Sequence, residues 1–244
     1  MKNLNITLKN WKGNKTLMTI FPHPDDETMA TGGLITIAKK NRWQVISLVL
    51  TGGEAGKSAV PLINTNLREI RKKELEKAAK ILKIDQLVTN NFGDGQLKGK
   101  EKEYMPWILE QINRFKPQII VTYDHSGFSG HPDHISLSLA VKELVRVFPK
   151  DSRPWLLWPT IDRRLAIKSV RPDVLPYISE VNYRLNLGLD WTKKWKASQA
   201  HKSQALGKGR LIPYWLFMFF YHREWYHKPI IDNEYPHKYV PFDV

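Results

Sequence analysis

The chain contains no cysteine. Disulfides, thiolate nucleophiles and cysteine-held metals are therefore excluded, and any metal must rest on nitrogen and oxygen ligands. The same absence fits a reducing compartment, and the cytoplasm is the expected location. Long apolar runs are missing too. The longest, LIPYWLFMFFY over Leu211–Tyr221, has eleven residues, well short of the roughly 20 needed to span a bilayer. The opening MKNLNITLKNWKGNK has no continuous apolar stretch and no small-residue cleavage site, so no signal peptide is expected. Internal repeats, low-complexity tracts and long flexible linkers are absent. One domain spanning 1–244 is the simplest account, with a loosely patterned C-terminal elaboration over 151–244.

What is present is ordinary for a globular protein: 244 residues, 42% hydrophobic and 25% charged, enough to bury a sizeable core. The formal net charge of +14 is unevenly spread. Residues 1–100 carry 17 Lys/Arg against 9 Asp/Glu, residues 101–192 carry 12 against 11, and residues 193–244 carry 9 against 4. Such an excess can signal nucleic acid, an anionic surface or acidic substrates. The lysines, however, sit mostly on solvated helix faces such as RKKELEKAAKILK, which favours plain solubility.

Up to about residue 150, short β-rich runs alternate with helical patterns. TLMTIF (16–21), WQVISLVL (43–50), QLVTN (86–90) and QIIVTY (118–123) read as strands. Helices are expected over 28–41, 66–83, near 103–115 and after His131. Near-continuous apolar strands separated by helices predict an α/β fold, a Rossmann-like, mostly parallel sheet flanked by helices. Beyond residue 150, RPWLLWPTIDRRL and YISEVNYRLNL read as strands or extended segments. WTKKWKASQAHKSQA and PYWLFMFFYHREWYH read as helical.

In such folds ligands bind beyond the carboxyl ends of the strands, and the polar clusters fall there. FPHPDDETMATGG (21–33) follows the first strand and opens a helix. Acids suit a helix N-terminus, which accounts for one or two carboxylates but not for the histidine. A second cluster, YDHSGFSGHPDHI (123–135), follows the strand at 118–123. His131 and His134 stand at i and i+3, as do His23 and Asp26, a spacing that puts each pair on one side of a helical turn. Two strand-end clusters facing one crevice can supply a two-His, one-carboxylate site with a position left for water, which suits zinc and also non-haem iron. One Asp of the DD pair is then free to act as a base, and a spare histidine can cover an oxyanion. Asp133 can orient an imidazole.

HPDDE (23–27) together with GHPDH (130–134) resembles the PIG-L/LmbE-like family of metal-dependent N-acetylglucosaminyl deacetylases. The resemblance continues in TGGEAG (51–56), in the R-x-x-E of RKKELEKAAKILKI and in FGDGQL (92–97), covering most of the first 150 residues. The final third matches only through KASQAHKSQ and the aromatic tail. The resemblance implies that His23, Asp26 and His134 bind Zn2+, with Fe2+ as the alternative ion. It implies Asp25 as general base, His131 as stabiliser of the tetrahedral intermediate with Asp133 tuning its neighbour, and Arg71 and Asp94 as holders of the sugar. The plainer readings are a solvated helix arginine and an acid that shapes the GDG turn. TGGEAG either cradles an anion or is simply a loop. Glu27 receives no chemistry, and neither do His201, His222 and His227.

The expected activity is thus removal of acetyl from an N-acetylglucosamine-containing small molecule, an amino-sugar conjugate. The rival within the same chemistry is another N-acyl small molecule or glycolipid. The rival outside it is a basic nucleic-acid-binding module, which lacks any reader motif, so no nucleic-acid partner is expected. The aromatic tail reads as core packing, as a peripheral membrane contact or as a lining for the crevice. A homo-oligomer is compatible with the sequence.

Overall fold

The computed structural model describes residues 1–62, 64–204 and 222–233. The strands are β1 (Lys2–Asn3), β2 (Thr16–Phe21), β3 (Gln44–Val49), β4 (Gln86–Thr89), β5 (Ile119–Val121), β6 (Trp155–Thr160), β7 (Tyr183–Asn186) and β8 (Arg223–His227). The helices are α1 (Leu4–Lys9), α2 (Asp26–Lys40), α3 (Leu67–Leu82), α4 (Glu101–Phe115), α5 (Gly127–Gly130), α6 (Pro132–Arg146), α7 (Arg163–Ser169) and α8 (Trp191–Ser198). The strands form one sheet in the order β1-β7-β8-β6-β5-β2-β3-β4. β2 pairs in parallel with β3 and β5, and β3–β4 and β5–β6 are parallel too. β8 runs antiparallel to both β6 and β7.

The apolar runs are continuous because both faces of the sheet are covered. One face presents Leu17, Val45, Ile119 and Leu157 to Leu34, Ile35 and Ala38 of α2, Ala78 and Leu82 of α3, and Ala197 of α8. The other presents Met18, Ile20, Ile46, Leu48 and Ile120 to Tyr104 and Ile108 of α4 and to Leu137, Val141 and Leu144 of α6. Burying each such side chain stabilises the fold by about 1.5–3 kcal/mol. From β2 the chain moves one way to β3 and β4, then returns to the other side at β5 and β6. The order of connection therefore reverses between β2 and β5, the point at which an open sheet leaves a crevice beyond its carboxyl ends.

One expectation fails here. Residues 223–227 form a strand, not the end of a helix. The inward positions of β8 are Glu224 and Tyr226, and a buried carboxylate in the apolar register hides the period-two alternation. Glu224 accepts from the α2 backbone N–H groups of Gly33 (2.8 Å) and Leu34 (2.8 Å), from Lys194 Nζ (2.7 Å) and from Tyr226 O–H (2.6 Å). A Cβ on Gly33 would lie 2.7 Å from Glu224 Oε1, so Gly33 is what admits this carboxylate. The rest of the aromatic tail, 211–221, lies outside the described residues. Among the described residues no helix is long and apolar enough to cross a membrane.

Candidate metal centre

β2 ends at Phe21, and the chain turns through Pro22–Asp25 into α2. Asp26 Oδ2 accepts the His23 backbone N–H at 3.0 Å, closing the turn. Across the gap, β5 leads through Tyr123–Ser126 and α5 to His131, which caps α6 by accepting the Asp133 N–H on its Nδ1 (3.2 Å). Pro132 at the first helical position favours a helix start there. The two clusters, more than a hundred residues apart in sequence, meet at the reversal between β2 and β5.

The donor atoms converge. His23 Nδ1 lies 3.2 Å from His134 Nε2 and 3.3 Å from Asp26 Oδ2, and His134 Nε2 lies 3.6 Å from that same oxygen. Ligands at the corners of a tetrahedron around zinc, 2.0–2.1 Å from the ion, stand about 3.3–3.4 Å apart. The tautomers suit a cation as well. His23 Nε2 faces Asp94 Oδ1 (2.9 Å) and Asp133 Oδ2 (3.2 Å), so it carries the proton and Nδ1 is left as a lone pair. His134 Nδ1 donates to Gly127 O at 3.0 Å, leaving Nε2 as a lone pair. Two lone pairs and a carboxylate oxygen thus share one small volume, which calls for positive charge among them.

Burial and charge tune the remaining groups. Burial works against the ionised form of Asp26, but His134 and His23 hold it below the usual carboxylate range. Burial opposes protonation of His23, yet Asp133, Asp26 and Asp94 outweigh it and raise its pKa, so a proton competes with a cation for Nδ1, which lies between Asp26 Oδ2 and His134 Nε2. Burial pushes His134 down to about 4. Asp25 goes the other way: burial, reinforced by the charge of Asp26, raises it to about 7. It caps α2 in a left-handed conformation, φ 113°, with Arg71 Nη2 3.5 Å from its Oδ2. His131 is lowered by burial and by His23, so its imidazole is neutral near pH 7.

His23, Asp25, Arg71, Asp94 and His131 all line one cleft of about 210 Å³. All eight residues given a role from sequence, Asp133 included, are thus brought together, though two differ in their surroundings from the simple readings. Arg71 is not a solvated helix residue. It is 5% exposed and donates from Nη1 to Gly53 O (2.8 Å) and from Nη2 to Pro24 O (2.8 Å). Gly53, at φ 68°, is indispensable to that approach, since a Cβ would lie 2.1 Å from Arg71 Nη1. Asp94 does more than shape a turn: besides meeting His23, it accepts the Ala55 N–H at 2.8 Å. Asp133 reaches across to His23 and also accepts from Gly95 N–H (2.8 Å) and Leu97 N–H (3.0 Å). Within TGGEAG, the N–H groups of Gly52, Gly53, Ala55 and Gly56 are all taken internally, which fits a structured loop better than an anion cradle.

Sequence reasoning missed Tyr123, whose O–H donates to Asp26 Oδ1 (2.7 Å) and whose ring stacks on His134 at 4.3 Å. Its position at the carboxyl end of a central strand was the available signal. Two further combinations bring ring or carboxylate atoms within 4.8 Å of one another, His23–His131–His134 and His23–Asp94–Asp133. In the second, the Asp133 oxygens are already occupied by backbone donors.

Comparison with known proteins follows the same residues. The PIG-L family, described as GlcNAc-PI de-N-acetylase, matches residues 18–145, about half of the chain. The chain belongs to the PIG-L family. One relative is the probable N-acetyl-alpha-D-glucosaminyl L-malate deacetylase 2 of Bacillus subtilis, 31% identical over 196 residues, covering 78% of this chain and 84% of the relative. Another is the mycothiol S-conjugate amidase of Streptomyces coelicolor, 33% identical over 141 residues, covering 49% and 47% of the two chains. Among solved structures, the N,N'-diacetylchitobiose deacetylase of Pyrococcus horikoshii shares the fold at a TM-score of 0.64 and 21% identity, over 82% of this chain and 78% of that one. The two relatives are named as a deacetylase and an amidase, hydrolases of amide bonds, which makes this chain an enzyme of that class, and its His/Asp group is of the kind that holds a metal ion.

Proposed function

We propose that this PIG-L chain is a zinc-dependent hydrolase that removes the N-acetyl group from an N-acetylglucosamine-containing small molecule, with His23 Nδ1, Asp26 Oδ2 and His134 Nε2 as the ligands. The observation that carries the reading is the meeting of those three atoms at 3.2–3.6 Å, beside a carboxyl whose pKa is about 7. His23, Asp26 and His134 would hold a divalent ion, which when bound would polarise the amide carbonyl and lower the pKa of a water to about 7.

The remaining work falls to side chains. Asp25, titrating near neutrality, takes a proton from the attacking water and returns it to the departing amine nitrogen. The water oxygen becomes part of acetate, and the C–N bond breaks. His131 accepts the Asp133 N–H on Nδ1, so its proton is on Nε2, where it can donate to the oxygen that gains charge. Asp94 and Asp133 fix the His23 ring and its tautomer. Arg71 and Asp94, at the cleft wall, offer a donor and an acceptor to sugar hydroxyls.

The relative named for the malate glycoside supports an amino-sugar conjugate as the substrate class. The relative named as an amidase supports a second reading, the same mechanism on a different N-acyl group. Acetate release from N-acetyl-α-D-glucosaminyl L-malate, set beside a panel of other N-acyl sugars, separates the two. An Asp25→Asn variant should lose about 10²–10⁴-fold in kcat while keeping its bound metal. Near-normal turnover in that variant would remove Asp25 from the role of base.

A further inference from the structure

Two buried ionisable groups have no part in the chemistry above. Glu27 and His201 are 0% and 1% exposed, and they come from opposite ends of the chain. Burying a carboxylate costs several kcal/mol unless it is paired and hydrogen-bonded, and a helix N-terminus that merely wants negative charge is served as well by an exposed acid. The position of Glu27 therefore calls for another explanation.

Asp25 supplies one. Its backbone sits at φ 113°, ψ −29°, a conformation that is strained for a non-glycine residue and persists only where its surroundings enforce it. The Asp25 N–H donates to Glu27 Oε2 at 3.2 Å. The other Glu27 oxygen accepts the Thr28 hydroxyl at 2.6 Å and faces His201 Nε2 at 3.7 Å. His201 is in turn held by the short 3-10 turn Lys202–Gln204. Glu74 fixes that turn by accepting both the Ser203 N–H (2.8 Å) and the Ser203 hydroxyl (2.7 Å). Glu74 lies one turn beyond Arg71 on α3, and Arg71 reaches the Asp25 carboxylate. The backbone of Asp25 is thus gripped by Glu27 and its side chain by Arg71, and both grips are tied to residues 201–203. The R-x-x-E and A-H-K-S-Q stretches of the sequence are two halves of one brace.

We propose that Glu27 and His201 are positioning residues that lock the Asp25 backbone in its left-handed conformation, so that the carboxylate faces the cleft and the segment 201–203 is a working part of the site. The activity arm rests on Asp25 being the base; the structural arm does not.

The test uses the full-length, zinc-loaded protein, with N-acetyl-α-D-glucosaminyl L-malate as substrate. Glu27→Gln leaves an amide that must turn an N–H toward one of three donors, and His201→Gln removes the far anchor. Each should lower kcat by about 10–100-fold, as expected for a misplaced reacting group, with KM within about twofold and zinc per chain unchanged. In an Asp25→Asn background, adding Glu27→Gln should cost nothing further, because both act through one group. A crystal structure of Glu27→Gln should show Asp25 released to negative φ. Unchanged kcat in both single variants overturns the proposal, as does a multiplicative loss in the double variant. Asp25 still at positive φ in Glu27→Gln also overturns it. Should Glu27→Gln fail to fold, Glu74→Gln, which frees the 202–204 turn from a half-buried position, takes the same readouts. An Asp25→Asn enzyme with normal turnover defeats the base assignment instead, and the crystallographic comparison still decides the positioning claim.

Discussion

Asp133→Asn probes how the metal centre is held without touching a ligand. The carboxylate is fully buried and makes three contacts: Oδ1 with Leu97 N–H (3.0 Å), and Oδ2 with Gly95 N–H (2.8 Å) and His23 Nε2 (3.2 Å). An amide of the same shape has one acceptor oxygen, so its NH₂ must face either Leu97 or the Gly95–His23 pair. At least one buried donor is stranded, a loss of about 1–3 kcal/mol of stability. The effect on metal binding is bounded by a second acceptor. Asp94 Oδ1 remains 2.9 Å from His23 Nε2, so the ring keeps its tautomer and loses only part of its electrostatic support. Removing such an outer partner typically weakens metal affinity 10–100-fold. The surviving Asp94 places this variant near the lower bound, about tenfold, or 1.4 kcal/mol. Replacing both acids by Asn should reach about 100-fold. Competition with a chromogenic chelator measures the affinity, and urea unfolding of the metal-free protein measures stability. Wild-type affinity in Asp133→Asn, or a double variant no weaker than the single, would refute the reasoning.

Other consequences lie further from the site. Glu224→Ala removes the buried carboxylate that accepts from Lys194, 6% exposed, and from two backbone N–H groups of α2. Unfolding free energy should fall by about 3–5 kcal/mol, read from denaturant midpoints, and a loss below 1 kcal/mol would contradict the pairing. His227 is held below its ordinary pKa by burial, only partly offset by its bond to Glu180 O. The unfolded chain therefore takes up that proton first, so the contribution is intact above about pH 6.5 and is lost as pH falls below it. Stability measured from pH 7.5 to 5 should decline less steeply in His227→Gln than in the wild type, and parallel curves would exclude the histidine.

How much of this was readable in advance depends on where each signal sits along the chain. β2, β3 and β5 stood out because both faces of those strands are buried, which makes their apolar runs continuous. The paired motifs HPDDE and GHPDH marked the candidate centre because two His/Asp clusters at strand ends face one crevice in an open sheet. Beyond the meeting of those two motifs, individual side-chain pairings between remote segments were invisible. Nothing near Asp133 announces that it turns toward His23, and nothing near Glu27 names His201. β8 was misread for a related reason. Its inward carboxylate serves α2, so the residue that fixes the strand in place is the one that erases its pattern. By charge pattern alone Arg71 looked like one more cation on a helix, and it was the R-x-x-E of the family resemblance that singled it out.

The central claim is that His23, Asp26 and His134 hold one divalent ion on which amide hydrolysis depends. Elemental analysis of the purified protein, paired with acetate release before and after chelation, tests it most directly. The account predicts about one zinc per chain, lost together with activity on chelation, restored together on adding zinc back, and absent from His134→Ala. Undiminished acetate release from the metal-free protein, or full metal content in His134→Ala, would contradict it.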